Sequence, residues 1–447
     1  MIHPTAISLP DRATIAGLVA RVSDPGRERW LEQVERTGGC RRPIRLRGRV
    51  MRGGRLTYST ADEPDGVLMV RCRNRREACC PSCAHEYRGD MWQLVYAGLA
   101  GGRKGVPETV RSHPQAFVTL TAPSFGAVHT RRDDGRPCGC GVLHTADDPL
   151  LGAPLDPDDY DYEGAVLWNW HAPELWRRFV IDLARVLARQ AGLTENELRD
   201  RLRISYVKVA EFQARGLVHL HAIILLDGPE GPGLSAPLPV SPDALCRAIE
   251  HAARRAHAAV PGANGEMVTA RFGAQVHVRA LGNGDAETVC PEAVAAYIAK
   301  YSSKCSHEAI TTRRTAPDYL RDGGVPEHLV QMVTAALRLS GRPAFAALGR
   351  WATNLGFRGH FVTKSRQYSI TLSQLRAERA DYRAAQDAAG PCKGESTAVV
   401  ATWEYLGSGY AGPGDALLAA AVEASLRERH DAALSERRGL ACAPPER

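Results

Sequence analysis

The chain has 447 residues, enough for two or three domains, and a formal charge of +7 that is concentrated in arginine-rich stretches. Phosphate contacts from such stretches would give a DNA affinity that falls steeply with salt. No run is apolar enough to span a membrane and no secretory leader is visible, so a cytoplasmic setting with reduced thiols and no membrane partner is expected.

Residues 1–109 form a basic, cysteine-bearing region. The chain holds 12 cysteines, and five of them (Cys40, Cys72, Cys79, Cys80 and Cys83) fall here. Clustered reduced thiols point to a metal before disulfides. Cys80-Pro-Ser-Cys83 has zinc-knuckle spacing, and Cys40 with Cys72 would complete a four-thiolate tetrahedron for Zn²⁺. Cys79 is the spare and a possible substitute for Cys72 or Cys80. Arginines flank the set (Arg41, Arg42, Arg45, Arg47, then Arg71, Arg73, Arg75, Arg76), which favours a DNA-facing surface.

Residues 110–375 read as a second, larger domain. Phe117–Thr121 (FVTLT) has the apolar, β-branched pattern of a buried strand. A Gly/Asp/Pro-rich insertion at 126–164 carries Cys138, Cys140 and His144, a candidate second metal set. Residues 171–190 have the periodicity of an amphipathic helix. Two strand-like runs then flank Ala214, Arg215 and Gly216, a three-residue loop with glycine in the left-handed position. Under that turn Glu211 lies across from His219, and His221 shares their face. Two imidazoles and a carboxylate there form a three-ligand site with open positions for a divalent ion. A one-residue register slip would dismantle it. Solvent-facing polar residues on a half-buried strand are the plainer account.

Further along, Ser241 caps a helix that has Pro242 in its first turn. His277 reads as an ordinary strand histidine. PEAVAAYIAKYSSKCSH (291–307) reads as a helix in which Tyr297 and Tyr301 share one face, with Lys300 and Lys304 one position round. A phenol titrates near 10, so a tyrosine nucleophile needs a neighbouring cation or metal to shed its proton. The segment 350–369 offers Trp351, Phe357, Phe361 and Tyr368 for base stacking, although packing accounts for them equally well. Residues 376–447 read as a linker (384–398) and an Ala-rich helical tail (415–434), with the last dozen residues disordered. Cys246, Cys290, Cys305, Cys392 and Cys442 are isolated.

FVTLT, the His-Leu-His hairpin and YIAKYSSK occur in that order. With CPSCAHEYRGD (80–90), AVLWNWHAPELWRRF (165–179) and RWATNLGFRGHFVTKSRQYS (350–369), they cover most of residues 40–375. In these blocks the chain resembles the HUH endonucleases, and among them the two-tyrosine rolling-circle replication initiators of actinobacterial plasmids and integrative conjugative elements. The resemblance implies an α+β fold: an RRM-like antiparallel sheet with helices on one face, beside an N-terminal zinc-binding region and a helical C-terminal tail. It implies that His219, His221 and Glu211 hold Mg²⁺ or Mn²⁺, that Tyr297 attacks DNA, and that Tyr301 serves the second transesterification. Lys300 would balance charge on the phosphate. Origin DNA is the implied substrate, and host helicase and polymerase the implied partners. Relatives of this type tend to carry Cys-x-x-Cys where this chain has Asp156 and Asp159, so those aspartates complete the candidate second zinc set as weaker ligands. Two competing readings stand: an HUH transposase or relaxase, and a non-catalytic zinc-dependent DNA-binding regulator. Relaxases place their tyrosine before the histidine pair, unlike Tyr297.

Overall fold

The computed structural model describes residues 11–132, 134–234, 237–281, 290–303, 310, 312, 314–387 and 399–441. Lys304, Cys305, Cys392 and Cys442 lie outside the described residues, as does most of the expected linker. The chain divides into two compact units: Met1–Tyr87 with Ala380–Arg447, and Arg88–Arg379. Both are mixtures of helices and antiparallel sheet.

This division corrects the expected boundary at 109 and the separate C-terminal tail. The strand Val399–Ser408 pairs antiparallel along all of Ile44–Arg52, which also takes Arg55–Ser59 and Leu68–Val70 as partners. The helix Pro413–Ala441 delivers Asp415 to the buried Arg21, whose Nε donates to Oδ1 at 2.8 Å. Trp30, Val34, Met69 and Ala419 close the small core. Pairing between residues about 350 positions apart has no local signature, so the tail reads as independent when it is a structural half of this unit.

In the second unit five strands form one antiparallel sheet. Its spatial order is Val362–Lys364, Arg203–Phe212, Val218–Asp227, Gln115–Leu120, Val276–Leu281. Strand alternation separates two faces. Ala116, Val118, Leu120, Ala222 and Ile224 are buried in one core with Leu175, Phe179 and Leu183 of the helix Tyr162–Gln190 and Leu245 and Ile249 of the helix Pro242–Arg255. The opposite face holds Phe117, Thr119, His219 and His221, and it too bears a helix, Pro291–Ser303, through ring contacts of Tyr297 with Phe117 and His221. Helices therefore cover both faces, where one was expected. Residues 88–109 belong here because Gln115 Nε2 donates to Leu99 O and the Tyr368 hydroxyl to Val95 O.

Two local expectations also shift. The long helix starts at Tyr162, capped by Asp161, and carries Pro173 within it. A proline removes one helical donor, but packing along the helix outweighs that loss. The aromatic residues offered for base stacking are core: Phe357, Phe361 and Tyr368 are buried and Trp351 is half-buried. No helix among the described residues is long and apolar enough to cross a membrane.

Candidate functional site

The hairpin has the register its loop chemistry requires. Gly216 sits at φ +74°, Gln213 N donates to Leu217 O, and Glu211 pairs with His219. The tip is held from outside by Asn169, which is fully buried. Its side-chain amide donates to Gly216 O and Leu355 O and accepts from Val218 N. His328 Nε2 lies 2.9 Å from Arg215 O. Asn169 escaped the sequence reading because a polar residue on an apolar helix gives no sign of what it binds.

His221 is the hub of the site. Its Nδ1 is 3.0 Å from the Thr119 hydroxyl, so Nε2 faces Glu211 Oε2 at 3.2 Å and the Tyr297 hydroxyl at 3.3 Å. The His219 ring centroid lies 4.8 Å from that of His221, and the buried His219 Nε2 has no hydrogen-bond partner among the described residues. Burial, reinforced by His221, Arg215 and His277, pushes His219 down to about 3. It is therefore neutral at ordinary pH, the state in which an imidazole can bind a metal. His277 pairs with Thr119, which pairs with His221 on its other side, so all three share one row of the sheet.

Helical spacing brings both phenols here. The Tyr297 and Tyr301 rings are 4.6 Å apart, and Tyr301 is 5.8 Å from the His221 ring. Lys300 Nζ lies 5.6 Å from the Tyr301 ring centroid. Burial, then the neighbouring Tyr301 and the Glu211 charge, raise the Tyr297 phenol well above its ordinary value. Even so, Tyr297 is 37% exposed.

Two sets of metal-donor atoms converge among the described residues. The first is Cys40, Cys72, Cys80 and Cys83, with Sγ–Sγ separations of 3.7 Å for Cys40–Cys80, Cys40–Cys83 and Cys72–Cys83. A tetrahedral zinc with bonds of roughly 2.3 Å has edges of about 3.8 Å, so these thiols have zinc geometry. Cys79 stands outside the set. The second is His129, Cys138, Cys140 and His144. Asp156 and Asp159 are absent from it. Asp156 Oδ1 instead accepts from Asp158 N at 2.9 Å within its own turn. His129, which the sequence reading missed, takes their place. Its one signal is position, nine residues before the Cys-Gly-Cys turn.

The family model described as "Replication initiator protein, pSAM2" (RepSA) matches residues 26–424. A replication initiator protein of Streptomyces ambofaciens is 44% identical over 443 residues, covering 95% of this chain and 96% of that protein. No solved structure matches the chain significantly. The match spans both units and every residue of the three clusters. The chain belongs to the RepSA family of replication initiator proteins.

Proposed function

We propose that this replication initiator nicks one strand of origin DNA by transesterification onto Tyr297, as HUH endonucleases do, and so starts rolling-circle replication. The observation that carries this reading is the meeting of the Tyr297 hydroxyl, His221 Nε2 and Glu211 on one sheet face, with Tyr301 packed beside them. Tyr297 Oη forms a bond to phosphorus as the bond from phosphorus to the 3′-oxygen breaks. The phenol gives up its proton, the departing oxygen takes one up, and the products are a 5′-phosphotyrosine and a free 3′-hydroxyl. A host polymerase, with a helicase opening the duplex, can extend that hydroxyl. In this reading Tyr301 serves the second transfer that ends a round, and Lys300 balances phosphate charge.

The donor chemistry fits a divalent ion. His219 offers a buried nitrogen with no partner among the described residues, and His221 Nε2 lies 3.2 Å from Glu211 Oε2 on the same sheet face. These three residues would hold Mg²⁺ or Mn²⁺, which when bound supplies Lewis-acid polarisation of the scissile phosphate. The four thiolates of Cys40, Cys72, Cys80 and Cys83 would hold a structural Zn²⁺.

The test is nicking of a single-stranded origin oligonucleotide with Mn²⁺, followed by mass mapping of the covalent peptide–DNA adduct. The reading expects the adduct on Tyr297 and its loss in Tyr297→Phe. A strand that is bound but left whole would instead favour a DNA-binding regulator.

A further inference from the structure

We propose that His129, Cys138, Cys140 and His144 form a second zinc site, which fastens the excursion at 126–160 onto the tip of the His-Leu-His hairpin. The proposal goes beyond the nicking reading and does not depend on which residue is the nucleophile.

Each of the four residues offers one donor atom, all within 4.8 Å of one another. His129 Nδ1 is 3.2 Å from His144 Nε2, which is 3.3 Å from Cys140 Sγ. Zinc with nitrogen bonds of roughly 2.0–2.1 Å has a tetrahedral N–N edge of about 3.3 Å. Two thiolates and two imidazoles in that geometry select zinc over the hard cations. The surroundings are built to match. Asp148 Oδ2 lies 2.7 Å from His144 Nδ1, the outer carboxylate that turns a zinc-bound imidazole's other nitrogen toward the ion. Thr130 N donates to Cys138 Sγ at 3.4 Å, and a tight turn closed by Gly141 N to Cys138 O, with Gly141 at φ +83°, aims both cysteines to one side.

The segment needs such a centre. Between residues 130 and 150 the only buried ones among the described residues are Cys138 and His144. A stretch of that length with no apolar core does not hold one shape without a cross-link or a metal. Its base is nevertheless fixed: His129 N donates to Ala153 O, and Gly152 N to His129 O. Gly152 sits at φ +85°, and a Cβ there would fall 2.3 Å from the Ala214 carbonyl carbon. The ligand His129 is thus bonded to the residue that abuts the hairpin tip. Arg215, at that tip, donates to the Pro123 and Ala122 carbonyls just upstream.

The experiment counts zinc in the full-length chain by elemental analysis, in a His219→Ala/His221→Ala background so that the histidine pair contributes none. Two ions per chain are expected, falling to one in His129→Ala and in Cys138→Ser and staying at two in Asp156→Ala and Asp159→Ala. Hydrogen exchange should then quicken in peptides from 126–160 and 213–217 of the His129→Ala chain. A single ion in the unsubstituted background overturns the proposal even if a variant misfolds. So does a count that ignores His129 and Cys138 but drops with the aspartates.

Discussion

His171 is buried and His219 half-buried, both as neutral rings, and their protonation sets an acid limit on the fold. Burial, then Arg358, pushes His171 down to about 4, and burial, then His221, Arg215 and His277, pushes His219 to about 3. In the unfolded chain both titrate near 6.5. Below that value the unfolded state binds more protons, so stability is complete above about 6.5 and drains away as pH falls through the two folded values. The expected result is a melting temperature that drops between pH 6.5 and 4. His171→Gln should flatten that drop, by an amount on the order of 1–3 kcal/mol. Tyr297 gives the opposite test. Its phenol is raised, so phenolate absorbance in the metal-free protein should emerge only above its ordinary range. Glu211→Gln removes one of the charges responsible and should bring the transition down. A transition unmoved by Glu211→Gln would mean that carboxylate does not act on the phenol.

At the scale of elements the hairpin decides whether the site exists. Gly216 is left-handed, and a Cβ there would lie 2.4 Å from Met332 Sδ. Gly216→Ala should therefore cost roughly 1–2 kcal/mol for the backbone alone, more with the clash, and should lower metal affinity by loosening the Glu211–His219 register. Chemical denaturation and calorimetric Mn²⁺ titration of the same variant would check both. The turn and its register were legible because a three-residue loop with glycine last permits few alternatives. The tyrosine helix was legible for a similar reason, since a spacing of four residues fixes a shared face whatever surrounds it. Asn169 and Thr119 were not legible. Their work is done on residues 47 and 102 positions away, and no local pattern records such partners.

For the whole molecule, the C-terminal segment is the part most easily misread. Val399–Ser408 supplies half of the pairing of Ile44–Arg52, and the Tyr410 hydroxyl donates to the carbonyl of the zinc-set residue Cys40 at 2.9 Å. A chain truncated at 398 should lose the zinc proposed for its four thiols and the cooperative melting of the first unit. The truncated protein would keep that zinc only if the segment were a dispensable tail. By itself, the sequence determined what contiguous residues control: the hairpin and its register, the facing tyrosines, the capped helices and the four cysteines spaced for zinc. Tertiary structure alone decided which distant pieces meet, namely the last strand with the first, His129 with the Cys-Gly-Cys turn, and the phenols with the histidines. The reason is physical. Turn and helix geometry act over a few bonds, whereas the partners of a buried strand or an unsatisfied polar atom are chosen by the packing of the whole chain.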